Sequence, residues 1–414
     1  MFRALSDAYR ESFSGLPRPV WLIAVATLVN RSGTMVLPFL ALYLSDRKGF
    51  TVPEAGAILG LYGIGAMGGA SLGGWLSDLL KPRRVLEWSL LLTGAGFLAL
   101  GSIDAHAGIA AMVLALSVVG EAFRPATSAA LAESAVRGES VRAMALNRLA
   151  VNLGMTFGPA IGGFLAVRNY TWLFIVDGGT CLLAAAFLRF VFRGERRVRG
   201  GPAPAAEDGG RPPWRDGTAL SLSAMTALFA IVIFQIFGTY PLFLHTLYGF
   251  SESAIGALLS INAILIVVLQ MPVLHALRGR HLLRIASVGA FLFCAGLALM
   301  PLDSGYLFVV GTVLVWTAGE LLSLPVIEGF LADRADEKNR GRYMGLLSLS
   351  YSFAFILAPL FGTWIYESLS PEAVWYVCGA VGVLLLAGFR ALAAKVERAS
   401  PQGAPAAIRS RLPG

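Results

Sequence analysis

Charge is what this 414-residue chain has least of: 14% of its residues are Asp, Glu, Lys or Arg, where a soluble domain carries roughly 25%. With 56% hydrophobic residues and a mean hydropathy of +0.70, the surface cannot be covered by polar groups, so lipid must be its solvent. The three cysteines, Cys181, Cys294 and Cys378, are far apart in sequence. They form no metal-binding spacing and are expected to pack rather than pair. The four histidines, His106, His245, His275 and His281, are equally dispersed. No phosphate-binding loop, paired metal spacing or nucleophile elbow occurs, which argues against an enzyme, against direct use of ATP and against any cofactor or metal. The net charge of +8 does not read as nucleic-acid binding, because it sits on short loops between apolar runs and no aromatic-basic domain exists.

What is present is length of apolar sequence. Twelve runs between residues 18 and 394 each approach the ~20 residues that a membrane-spanning helix needs, too long and continuous for barrel strands. The fold class is therefore all-α, with twelve transmembrane helices. The first run has no small-residue cleavage site and reads as a retained span. Basic clusters occupy alternate loops: Lys81, Arg83 and Arg84; Arg137 and Arg142; Arg193 to Arg199; Arg278, Arg280 and Arg284; Arg334, Lys338, Arg340 and Arg342. By the positive-inside rule both termini lie in the cytoplasm. Residues 194–217, rich in Gly, Pro and charge, read as a cytoplasmic linker between a first bundle (1–193) and a second (218–396). Residues 397–414 read as a disordered tail.

The bundles repeat at an offset of 200. Leu131-Ala132-Glu133 matches Leu331-Ala332-Asp333, Pro125 matches Pro325, Arg142 matches Arg342, and Gly158-Pro159 lies over Ala358-Pro359. Two six-helix halves of parallel topology are a known transporter plan, with the substrate site between them near the midplane. On these residues the chain resembles the major facilitator superfamily over nearly its whole length, and it is most similar to the bacterial drug:proton antiporters. That resemblance implies two pseudo-symmetric bundles in a bacterial inner membrane, a small-molecule substrate, protons as coupling ion and a monomer.

Two motifs carry the resemblance further. The segment from Gly74 through Asp78 to Lys81, Arg83 and Arg84 resembles the superfamily's cytoplasmic signature, with Lys81 and Pro82 departing from the pattern. The resemblance gives Asp78 a gate role against the start of the eleventh helix, where Arg340 and Arg342 stand, and Gly74 the role of a close helix approach. The pairs Glu133 with Arg142, and Asp333 with Arg340 or Arg342, resemble the inner charge network. In the fifth span Gly154, Gly158, Pro159, Gly162 and Gly163 match the antiporter signature, which implies packing against the eighth helix, restriction of leak and export rather than import.

Charges within the spans are costly and face a cavity or a partner. Arg31, beside Asn30, and Glu121, one turn from Arg124, fall at similar depth, so Arg31 and Glu121 can meet. Glu320 belongs to the corresponding region of the second half. A carboxyl that alternates between a dry site and an arginine binds and releases a proton. Glu121 and Glu320 are therefore the candidate proton carriers, with Arg31 and Arg124 as counter-charges. Arg148, Asn152, Gln235, Tyr240, Asn262 and Tyr351 are further candidates for a substrate cavity, and Asp177 for a structural hydrogen bond. The alternative to a drug exporter is a dedicated carrier for one metabolite, such as a sugar, siderophore, organic anion or lysolipid.

Overall fold

The computed structural model describes residues 14–135, 140–192, 213–277, 280–335 and 339–399, and among them there are helices and no strands. The first half is built from α1 (Arg18–Ser32), α2 (Val36–Lys48), α3 (Val52–Leu79), α4 (Pro82–Leu100), α5 (His106–Glu121), α6 (Phe123–Ser134), α7 (Ser140–Arg168) and α8 (Thr171–Val191). The second half has α9 (Gly217–Ile233), a 3₁₀ turn over Phe234–Phe237, α10 (Thr239–Thr246), α11 (Glu252–Ala276), α12 (Leu282–Ala298), α13 (Tyr306–Arg334), α14 (Arg340–Ser368) and α15 (Ala373–Ala399). α1 and α2, α5 and α6, and α9 and α10 are broken columns, so each half has six. Most of the proposed linker and the tail beyond residue 399 lie outside the described residues. Pro213–Arg215 form a turn of 3₁₀ helix, and α15 continues to Ala399, past the expected start of the tail.

Among the described residues, eleven columns are long and apolar enough to cross a membrane. The twelfth, α4, carries Arg83, Arg84 and Glu87 in its first turns, which is why it falls short on composition. It nonetheless packs on α8 and α5 within the bundle.

The repeat is visible in local chemistry. Gly49 (φ 71°) and Gly249 (φ 65°) take the left-handed conformation that a side chain resists. Each turn is closed by the N–H of the next residue, Phe50 to the Leu44 carbonyl and Phe250 to the Leu244 carbonyl, both at 3.0 Å. The helices that follow open on capping residues, Thr51 in a reciprocal box with Glu54 at α3 and its repeat counterpart Ser251 at α11. The breaks in the columns are secured differently. At the first, the Asp177 carboxylate accepts the N–H groups of Met35 and Val36, both at 3.3 Å, and so satisfies the start of α2. At the second-half break, Gln235 donates to the carbonyl of Ala358 (2.8 Å) and accepts from Thr239 Oγ1 (2.8 Å).

As the columns alternate in direction, the helix ends that flank the basic loops share one face with the start of α1 and the end of α15. The halves meet closely towards the opposite face. There α3 packs on α14 and α7 on α11, each contact made by glycine. An added Cβ at Gly63 would lie 2.9 Å from Ile356 Cγ1, and one at Gly56 would run into Thr363. One at Gly256 would strike the Pro159 carbonyl, and one at Gly163 the Glu252 carbonyl. Tyr170 donates to Glu252 Oε1 (2.9 Å), and His245 Nε2 lies 3.3 Å from Asp46 Oδ2. Both contacts cross between the halves.

Candidate functional site

The antiporter-like segment of α7 builds the site from behind. Gly154, Gly158 and Gly162 face the break in the first column: a Cβ on Gly154 would lie 2.5 Å from Arg31 Cβ, one on Gly158 2.6 Å from the Thr34 carbonyl, and one on Gly162 2.6 Å from Met35 Cβ. Gly163 and Pro159 of this segment meet the start of α11, which is the eighth column. The motif therefore clasps the Arg31 backbone as well as the expected eighth helix.

α3 builds the other wall. Gly65, Gly69 and Gly73 press it against Ser117, Val118 and Ala122 at the end of α5, bringing Tyr62 to Glu121. The Tyr62 hydroxyl lies 3.5 Å from Glu121 Oε1. Gly74, the glycine expected to allow this approach, faces open space, and its neighbour Gly73 makes the contact instead. The reason is helical phase: one residue turns the side chain by about 100°.

Between these walls, within the first half, lies a cavity of about 70 Å³ bordered by Asn30, Arg31, Tyr62, Thr93, Glu121 and Asp177, among others. That is room for several waters. Arg31 Nε and Thr93 Oγ1 are buried without a hydrogen-bond partner. The Arg31 guanidinium stands 5.8 Å from the Phe123 ring centre. It shares the cavity with Glu121 and Asp177 but forms an ion pair with neither, which corrects the expectation of direct contact. Glu121 instead has Arg124 Nη1 at 3.8 Å, and Arg124 is 73% exposed. Asn30 donates to Cys181 Sγ at 3.2 Å. A half-buried cation that lines a cavity with two carboxyls and pairs with neither, in a space large enough for water, can change which acid it neutralises as protons bind.

The second half places its acid differently. Glu320 Oε2 accepts from Asn262 Nδ2 at 3.0 Å, and the same nitrogen lies 3.1 Å from Thr317 Oγ1. Glu320 falls at the repeat position of Gly120 rather than of Glu121, so the two acids are one residue out of register. Phe355 of α14 joins the halves, with its ring centre 5.7 Å from Tyr62 and 4.7 Å from Phe234. Tyr351 extends this aromatic group, 6.5 Å from Phe234. Tyr62 thus touches the acid of one half and the aromatic wall of the other.

Other expected residues are placed elsewhere. Gln235, 4% exposed, is consumed by the backbone break, and Tyr240, fully buried, packs edge-on against Trp375. Neither borders the first-half cavity. Asn152 is half-buried. Arg148 pairs across the halves with Glu328, Nη2 to Oε2 at 2.6 Å. Glu328 belongs to no motif, although it lies two helical turns beyond Glu320 on the same face. Asp78 is exposed and has no ion-pair partner among the described residues, so the expected contact with Arg342 is not made. The Arg340 side chain lies outside the described residues. Arg342 is exposed at the start of α14, and Arg84 is exposed in the first turn of α4. Arg83 stacks over Phe192 at 4.0 Å. The inner pairs also differ from expectation. Glu133 and Asp333 are exposed without ion-pair partners among the described residues, and Arg142 donates to the Ser14 carbonyl at 2.7 Å. In the second half it is the neighbouring Arg334 that is engaged. Its Nε and Nη2 reach the two oxygens of Asp216 at 2.6 and 2.9 Å, and Tyr343 donates to Asp216 at 3.0 Å.

Two six-column bundles around a charged interior define a multi-pass membrane transporter. The sequence profile of the Major Facilitator Superfamily matches residues 20–327 and 318–412, and the chain belongs to that superfamily; it is a transporter and not an enzyme. It is 24% identical over 362 residues to an uncharacterized MFS-type transporter, YqjV, of Bacillus subtilis, covering 83% of this chain and 84% of that one. It is 24% identical over 365 residues to the multidrug resistance protein MdtH of Yersinia pestis, covering 86% and 89%. In fold it is similar to a POT family transporter crystallised with 5-aminolevulinic acid (TM-score 0.77, 15% identity, 93% and 98% covered). It is also similar to the nucleoside transporter NupG (TM-score 0.72, 14% identity, 91% and 100% covered).

Proposed function

We propose that the chain is a proton-coupled antiporter that exports small, mostly apolar organic compounds across a bacterial inner membrane, with its basic face and both termini in the cytoplasm. The observation that carries this is the first-half cavity, which Arg31 lines together with Glu121 and Asp177 without an ion pair to either. Protonation of Glu121 would remove one of the two charges that attract Arg31 and leave it to favour Asp177. Tyr62 would pass that change to Phe355 and the wall between the halves. Glu320, held by Asn262, is the second candidate proton carrier. Similarity to MdtH, a multidrug resistance protein, supports a drug-like substrate. The drive is sufficient: one charge moved through about 150 mV supplies roughly 3.5 kcal/mol, a concentration ratio on the order of a few hundred.

The exposed guanidinium of Arg124 favours a second reading, a dedicated carrier for one organic anion. Both readings are tested with purified protein in proteoliposomes under an imposed pH gradient, with a trapped pH dye. Lipophilic cations, neutral antibiotics, organic anions and sugars are added in turn, and Glu121→Gln is run beside the parent. Substrate-dependent proton flux with cations or neutral drugs, lost in the variant, is the expected outcome. Flux with organic anions alone selects the second reading, and flux retained in Glu121→Gln removes Glu121 from coupling.

A further inference from the structure

The junction between α11 and α12 is the repeat counterpart of the junction between α3 and α4, but where the first half has Asp78 the sequence has Arg278. The acid has gone, and the described residues that follow include Arg280, His281 and Arg284. These three border an open groove of about 600 Å³, whose remaining walls are Leu277, Ile285, Val288 and Leu322. A volume of this size accommodates a small organic molecule or a length of acyl chain. Next to Val288, Gly289 lets α12 and α13 approach so closely that an added Cβ would lie 2.7 Å from the Leu322 carbonyl carbon.

Charge and apolar surface are separated along this groove. At its rim, Glu397 Oε2 accepts from Arg284 Nη2 at 2.7 Å, and Glu397 Oε1 lies 3.5 Å from His281 Nδ1. That acid holds two of the basic side chains in place. Arg280 is exposed and has no ion-pair partner among the described residues, so the rim keeps a net positive charge, two arginines against one glutamate. The first N–H groups of α12 open at the same rim, and His281, at the cap, offers them no side-chain bond. About two turns further along, Val288 is 40% exposed. Because α12 packs on α13 and α15, this face of the helix is turned to lipid.

We propose that this groove binds an anionic phospholipid from the leaflet at the basic face. The phosphate would lie against Arg280 and the start of α12, and an acyl chain would follow Ile285, Val288 and Leu322. A soluble anion would use the charge and leave the apolar wall uncovered. A zwitterionic lipid would cover the wall and carry no net charge to match the rim. Basic pockets between helices on this side of a membrane are suited to such headgroups.

The test uses the full-length protein in detergent, followed by native mass spectrometry and thermal melting. Dioleoyl phosphatidylglycerol, dioleoyl phosphatidylcholine and glycerol 3-phosphate are titrated separately. Phosphatidylglycerol is expected to remain bound and raise the melting temperature, and the other two are not. Arg280→Gln is expected to weaken phosphatidylglycerol binding about fivefold, the ratio set by the loss of one surface cation. Val288→Trp, which fills the apolar wall and leaves the charge intact, is expected to weaken it as well. Both positions are exposed, so the lipid-free melting temperature of each variant should match the parent. Equal binding of the two lipids, the same stabilisation by glycerol 3-phosphate, or unchanged phosphatidylglycerol binding in both variants would overturn the proposal.

Discussion

At repeat-equivalent positions among the described residues, the first half has a cavity where the second has packed aromatic rings. At an offset of 200, Ser89, Thr93 and Leu116 of the first half correspond to Gly289, Phe293 and Trp316 of the second. The first three border the cavity that holds Arg31, Glu121 and Asp177. The second three close the equivalent space: Phe293 and Trp316 stack edge to face at 5.6 Å, and Gly289, Gly296 and Gly319 bring α12 against α13 with no room for a side chain. An apolar interior is stable when filled, whereas an interior with charges needs water or partners. On the proposed function, the first half supplies the watered proton site at Glu121, whereas the second half sets its candidate acid, Glu320, against Asn262 in a filled interior.

Exchanging one residue between the halves gives the largest expected effects. Phe293→Thr opens a void in the second half, and large-to-small changes of this kind cost about 3–5 kcal/mol. A melting temperature close to the parent's would show that the second half is not held by that packing. Thr93→Phe makes the reverse change. Overpacking costs about 1–3 kcal/mol, so the protein should still fold, with water expelled from around Arg31 and proton-coupled flux lost. Normal flux in Thr93→Phe would separate the cavity from coupling.

A smaller effect is expected where the halves touch each other rather than themselves. Gly256 meets Pro159 and Gly163 across the boundary, so Gly256→Leu should leave each bundle folded and hinder closure of the face opposite the basic loops. Each ~1.4 kcal/mol added to closure slows transport tenfold, and a slowing of at least that size is expected in the proteoliposome assay with little change in melting temperature. An unchanged rate would mean that this face need not close so tightly.

The basic faces of the halves differ too. Asp216 caps α9 and is gripped by Arg334 and Tyr343, whereas its repeat counterpart is Leu16. Burial alone would push the Asp216 carboxyl up, but Arg334, the Ala219 N–H and Tyr343 together outweigh it and bring it down to about 2. The fold therefore favours the charged form. Its contribution to stability is full above the ordinary aspartate value near 3.9 and drains away as pH falls from there towards about 2. The melting-temperature gap between parent and Asp216→Asn should be constant above about pH 5 and shrink below pH 4. A gap that does not change with pH would assign the effect to helix capping alone.

How much of this was legible in the sequence depended on range. The columns, the two halves and the membrane could be read because apolar length and a 200-residue offset survive in one dimension. The presence of Arg31, Glu121 and Glu320 at membrane depth was legible for the same reason. Partners were not, because they depend on helical phase. Gly73 rather than Gly74 faces α5, Arg334 rather than Asp333 is engaged at the basic face, and Arg31 shares a cavity with Glu121 without touching it. The backbone bond of Gln235 and the packing of Tyr240 on Trp375 were equally illegible, because polarity within a span does not reveal what a side chain meets. The clearest missed signal was the eight-residue spacing of Glu320 and Glu328, which puts both acids on one side of α13.

The smallest expected effect belongs to the pair that this spacing would have revealed. Arg148 and Glu328 connect the halves near the basic face, on the side away from the glycine contacts, at 2.6 Å but with the arginine 63% exposed. Exposed pairs contribute about 0.2–1 kcal/mol, because water screens them and two long side chains lose freedom. Arg148→Gln and Glu328→Gln should each speed or slow transport by no more than about fivefold at that energy, and the double variant should resemble either single one. The coupling should also fade as salt is raised. Coupling well above this range, or unaffected by salt, would mean that the pair becomes desolvated during the cycle. It would then be a latch that must break each time the basic face opens, and the difference between the two faces of the transporter would be much smaller than glycine against ion pair suggests.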